Sequence, residues 1–153
     1  MLALDIRELP VRLHLGPKPP IPAVLFLHRH GPRGQEGLLE RLCGPEAFIP
    51  FRGEEGRIHL VARAAIAYLE SDEIPEELAE MAALMASKSR LRVRMRSGPE
   101  LIGTILVLLP DNRNRLLDYL NQKDDFFALS IGSGVAVMNK NWIESVEPLA
   151  EES

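Results

Sequence analysis

Five cations stand at every second position of the chain: Lys88, Arg90, Arg92, Arg94 and Arg96. Side chains at i, i+2 and i+4 of a strand share a face, so this comb lines one side while Leu91, Val93 and Met95 enter a core. Like charges about 6–7 Å apart repel, which favours a counter-anion. An external anion would be the phosphates of RNA or of a nucleotide, held by bidentate guanidinium contacts. An internal one is at hand in the acidic run Asp72, Glu73, Glu76, Glu77 and Glu80 just upstream. A third reading is a solvated edge strand whose charges deter aggregation. The interleaved residues are aliphatic and offer no stacking platform for bases. With 18 Lys and Arg against 22 Asp and Glu, the net charge is −4, unlike a nucleic-acid binder. Internal pairing or solvation of the comb is the expectation, and an external anionic partner is the alternative.

The other chemistry-bearing residues give weaker signals. All four histidines, His14, His28, His30 and His59, fall in the first half. They suggest a metal site only as a weak alternative, because no carboxylate or cysteine stands at a ligand spacing beside them. Cys43 is the only cysteine, which excludes an internal disulfide and a cysteine-built zinc site. Lys140 and Trp142 flank a tight turn at Asn139-Lys140-Asn141 and are candidate partner contacts, Trp142 either as an interface anchor or as core at the start of a strand. Asp118 and Asn121 read as polar residues satisfying the ends of a short helix. Arg29-His30-Gly31-Pro32-Arg33 matches a string of the histidine phosphatases. That family needs a parallel sheet alternating with helices, which the pattern here lacks. Nothing resembles a phosphate-binding glycine loop or a nucleophile elbow. Neither enzymatic activity nor a cofactor is expected.

The elements that must position these residues occur twice. Residues 91–95 echo 11–15 and residues 101–108 echo 21–28 at an offset of 80 (Arg92 against Arg12). Leu116-Leu117-Asp118-Tyr119-Leu120 matches Leu38-Leu39-Glu40-Arg41-Leu42 at 78, as Phe126 does Phe48, and Lys140, Ile143, Val146 and Glu147 fall on Arg63, Ile66, Leu69 and Glu70 at 77. A period this long, seen twice, indicates a duplicated module rather than a solenoid. In the second half, strands are expected over 90–96, 101–109, 126–131, 134–139 and 142–146, with a two-turn helix over 114–121. The first half repeats this order with strands over 11–15, 23–27, 48–51, 57–62 and 64–69 and a helix over 36–42. Between the halves, Ser71-Asp72-Glu73 signals the start of an acidic helix over about 75–87, whose stripe of Leu78, Met81, Leu84 and Met85 suits packing on a module.

Five short strands and one small helix per half bury a core most economically as a small barrel. The expected fold is therefore mainly β with short helices: two tandem small β-barrel modules, Sm-like in outline, related by internal duplication and joined by an acidic helix. The expected boundaries are 1–70 and 89–148 for the modules, 71–88 for the linker and 149–153 for a disordered tail. The string Asn114-Arg115-Leu116-Leu117-Asp118-Tyr119-Leu120-Asn121, followed by Phe126-Phe127-x-Leu129, Val135-x-Val137-Met138-Asn139-Lys140 and Ile143-x-x-Val146-Glu147, resembles a group of uncharacterised bacterial domains. The resemblance covers the second half well and the first only in skeleton. It implies a barrel and brings no activity or cofactor.

With 46% hydrophobic and 26% charged residues the composition is that of a soluble globular protein. Arg, Pro or Gly interrupts every apolar run short of a membrane span. The start, Met1-Leu2-Ala3-Leu4-Asp5-Ile6-Arg7-Glu8, has no basic n-region, so cytoplasmic residence is expected. Functionally the sequence reads as a non-enzymatic binding or scaffold protein, with a protein partner or self-association ahead of nucleic acid or nucleotide, and no membrane partner.

Overall fold

Alternation of apolar and polar residues sets the first strand. Leu9, Val11 and Leu13 are buried while Glu8, Pro10, Arg12 and His14 point the other way, the period-2 signature of a strand with one face on a core. The same alternation in the comb buries Leu91, Val93 and Met95. The computed structural model describes residues 6–28, 37–73, 90–105, 113–132 and 134–149. Among them lie ten strands and two short helices: β1 (Ile6–His14), β2 (Ile21–His28), α1 (Leu38–Leu42), β3 (Phe48–Arg52), β4 (Ile58–Ala62), β5 (Tyr68–Ser71), β6 (Arg90–Met95), β7 (Glu100–Ile105), α2 (Arg113–Leu120), β8 (Phe126–Ile131), β9 (Gly134–Asn139) and β10 (Ile143–Pro148). The expected inter-half helix over 75–87, Ala150 to Ser153 of the tail, Lys88, His30 and the Arg29-to-Arg33 string lie outside the described residues.

All ten strands form one antiparallel sheet in the order β10-β6-β7-β8-β9-β5-β1-β2-β3-β4. The second five strands repeat the pairing of the first five. Arg12 faces Pro22 on β2 and Glu70 on β5, and Arg92 faces Ile102 on β7 and Glu147 on β10. Phe48 faces Ala62 as Phe126 faces Asn139, and Val24 faces Arg52 as Thr104 faces Ser130. Two separate closed barrels are not what forms. The sheet is open, and the free edge of β5 is taken by β9, Tyr68 opposite Met138 through Ser71 opposite Val135. That edge is therefore unavailable to close a barrel against β4.

Two cores lie on opposite faces of this seam. Phe126, Val135 and Val137 join Leu9, Leu25, Phe51 and Leu69 in the first; Phe127, Ala136 and Met138 alternate with them and join Leu91, Val93, Met95 and Tyr68 in the second. Strands β8 and β9 are thus buried on both faces, as their near-continuous apolar sequence requires. Helix α1 packs its Leu38 and Leu42 into the first core and lies against β8. Gly134 is needed at the seam, since a Cβ there would stand 2.3 Å from the Ser71 carbonyl oxygen. Proline at position 10 is tolerated because β5 pairs with β1 only through Arg12, Leu13 and His14. No helix among the described residues is long and apolar enough to cross a membrane.

Candidate functional site

The comb lies on β6, flanked by β7 and β10, and both neighbours bring carboxylates to it. Arg92 Nη1 donates to Glu147 Oε1 at 2.6 Å and its Nε lies 3.1 Å from Glu100 Oε1. Arg94 Nη2 donates to Glu100 Oε2 at 2.9 Å, with Glu144 at 3.9 Å. The hydrogen bond Arg94 donates to Glu100 raises the Arg94 pKa above its ordinary value. Arg96 donates from Nε to the Ile143 carbonyl at 3.4 Å. Arg90 is exposed at the start of the strand, where its carbonyl accepts from the Leu149 N–H. Cross-strand acids from the same sheet therefore neutralise the centre of the comb. The linker acids Glu76, Glu77 and Glu80 lie outside the described residues.

Lys140 and Trp142 are turned inward to the protein. Lys140 Nζ donates to the Tyr119 and Gln122 carbonyls at 3.3 and 3.5 Å and lies 5.3 Å from the Tyr119 ring centre. Burial lowers its pKa, and burial lifts the Tyr119 hydroxyl to about 12. Trp142 reaches from the second half to the first. Its Nε1 donates to the Ala64 carbonyl at 2.8 Å, and its ring lies beside Gly16, whose φ of +77° in the β1–β2 turn suits glycine. Asn139, read in the sequence only as a turn residue, is buried and pins the same junction. Its Nδ2 donates to the Ile66 carbonyl at 2.9 Å, its backbone N–H donates to Ala67 at 3.0 Å, and its Oδ1 accepts from the Asn141 N–H at 2.9 Å. An Asn ending an otherwise apolar strand was the available signal.

The three described histidines are not gathered. His14 stacks on Tyr68 with ring centres 3.8 Å apart and hydrogen-bonds Glu70 through Nε2. That bond holds the Glu70 carboxyl below the ordinary carboxylate range, against the opposing effect of burial. His28 ends β2 and is exposed. His59 is on β4, separated from β1 in the sheet by β2 and β3. Among the described residues, no group of three or more His, Cys, Asp or Glu side chains is placed to hold a metal ion. Cys43 hydrogen-bonds the Phe126 carbonyl at 3.6 Å, and burial raises its thiol pKa, the opposite of an activated nucleophile. Asn121 donates back to the Leu117 carbonyl at 3.0 Å, ending α2.

The sequence did not disclose a groove of about 560 Å³ at the β4 end of the sheet. Leu13, Phe51 and Val61 form its apolar wall, and Glu54, Arg57 and His59 its polar rim. Next to it the β3–β4 corner exposes Phe48, Ile58 and Leu60 at 57%, 55% and 68%. Among the described residues β4 pairs only with β3, leaving its other edge open. No family model, curated protein or solved structure matches this chain.

Proposed function

We propose that this chain is a non-enzymatic binding or scaffold protein, assembled from two small barrel-like modules that arose by duplication. The repeated pairing registers of β1–β5 and β6–β10 support the duplication. One observation carries the functional reading: Phe48 of β3 and Ile58 and Leu60 of the edge strand β4 stand exposed side by side, the kind of surface that marks a protein-interaction site. The alternative, RNA or nucleotide binding through Arg90 to Arg96, is disfavoured by the carboxylates of Glu100 and Glu147 already seated on Arg92 and Arg94. An external phosphate would have to displace them.

Fluorescence anisotropy with a labelled single-stranded RNA and with a labelled nucleotide at physiological salt tests this choice. The expected result is no binding by the wild type, and a lowered melting temperature in Arg92→Glu/Arg94→Glu because three acids lose their partners. Micromolar binding that weakens steeply as salt rises, and vanishes in the double variant, would replace the proposal with anion recognition.

A further inference from the structure

The two strand types that meet in the seam between β9 and β5 recur, one at each end of the sheet. In the repeated pairing, β9 holds the place that β4 holds in the first half, and β5 the place that β10 holds in the second. The seam thus joins a fourth strand to a fifth strand. Among the described residues the sheet ends in one uncovered strand of each type, β4 and β10. We infer that copies of this chain associate head to tail, the β4 edge of one pairing with the β10 edge of the next in the register of the internal seam. The inference rests on the binding reading above and names its partner.

Burial at matching positions is the main argument. Phe126, Val135 and Val137 are 1%, 0% and 0% exposed because the first half covers them. Their counterparts in the pairing pattern are Phe48, Ile58 and Leu60, the three side chains left open. A fourth case lies at the other end of the sheet. Leu39 of α1 packs against the first core, whereas its counterpart Leu117 of α2 is 61% exposed. Three of the six exposed large apolar side chains among the described residues therefore sit where the seam buries the matching residue, and a fourth, Leu117, sits where its counterpart Leu39 is partly buried.

Carrying over the register gives the contacts. Leu69 faces Val137 in the seam, so Val146 of one copy would face Leu60 of the next. Glu70 faces Ala136, so Glu147 would face His59 on the groove's polar rim. Tyr68 and Ala67 fill the second core beside Met138. Ser145 and Glu144 would enter the groove at Val61 in the same way. The contact would be weaker than the seam for identifiable reasons. Asn139 and Trp142 correspond to Ala62 and Ala65, and Pro148 lacks the N–H that Ser71 has. A joint of unlike edges is heterologous and produces a ring or a filament, not a twofold dimer.

Sedimentation of the full chain over a concentration series, with two single variants, tests this. Leu60→Glu and Leu117→Glu change side chains that are exposed in the monomer, so both should keep the wild-type melting temperature. The wild type should associate with rising concentration. Each variant alone should raise the association constant's midpoint at least tenfold. Their 1:1 mixture should form a heterodimer through the one intact pair of edges. Ala62→Asn/Ala65→Trp, which restores the missing seam residues, should tighten association at least tenfold. A wild type that stays monomeric at every concentration, self-association retained by either single variant, or a mixture that remains monomeric would each overturn the head-to-tail joint. None of these outcomes touches the choice between protein and phosphate, which the anisotropy measurement decides.

Discussion

Phe126 and Phe48 are the same residue at the same place in the pairing pattern, one sealed in the seam and one open to solvent, so truncating each measures what the seam contributes. Phe126→Ala removes a ring that is 1% exposed, within the first core and against the α1 side of the seam. The loss of transfer energy together with the cavity should cost about 3–5 kcal/mol. Phe48 is 57% exposed; less than half its area leaves water, so Phe48→Ala should cost roughly 1 kcal/mol in the monomer. The difference of about 2–4 kcal/mol is readable by urea unfolding at high dilution. The fluorescence of Trp142, the only tryptophan, follows the junction directly because its indole donates to Ala64 across it. Equal destabilisation by the two substitutions would refute the assignment of Phe126 to a shared core and, with it, the role of the seam as the joint that holds the halves.

Two further outcomes follow from the seam. Gly134→Ala would place a methyl group 2.3 Å from the Ser71 carbonyl, forcing β5 and β9 apart at a cost of about 1–3 kcal/mol; Gly44→Ala, whose nearest backbone contact would be 3.4 Å, is the control, and a wild-type melting temperature for Gly134→Ala would contradict the close approach. Glu70 has its carboxyl pKa lowered from the ordinary 4.5, first by the His14 hydrogen bond. The stability it adds is present above the unfolded value and lost as pH falls through the folded one. Melting temperatures of Glu70→Gln taken from neutral pH into the acid range should show a shallower acid decline than wild type, and an equally steep decline would argue against the contribution.

Much of the strand plan was legible because period-2 alternation reports burial directly. Strands β8 and β9 fall over the expected 126–131 and 134–139, and β6 ends one residue short of the expected 96. Strand β1 runs five residues further toward the N-terminus than its pattern suggested, through Pro10. The fifth strands begin later than expected because a short helical turn, Arg63–Ala65 in the first half and Lys140–Trp142 in the second, precedes each. What alternation cannot report is which strand an open edge takes. The seam depends on a partner distant in sequence, as does the Arg92–Glu147 pair. Glu100 and Glu147 were visible as acids, but only the register that sets Arg94 opposite Glu100 and Arg92 opposite Glu147 turns them into partners.

The seam itself needs strong specification, because β8 and β9 are apolar on both faces. A slip of one residue would exchange Val135 and Val137 with Ala136 and Met138 between two cores that are each nearly dry, and the hydrophobic pattern alone discriminates poorly between those states. Polar and steric devices supply the difference. A shifted Asn139 would leave the Ile66 carbonyl without its donor and bury an unpaired amide, at a cost of about 1–3 kcal/mol per group. A shifted Gly134 would bring a bulky residue to the Ser71 carbonyl, and a shifted Trp142 would lose both Ala64 and Gly16. Two strands within one chain meet at high effective concentration whether or not these contacts exist. Asn139, Gly134 and Trp142 are therefore best understood as fixing which alignment forms, a role that a stability measurement alone would understate.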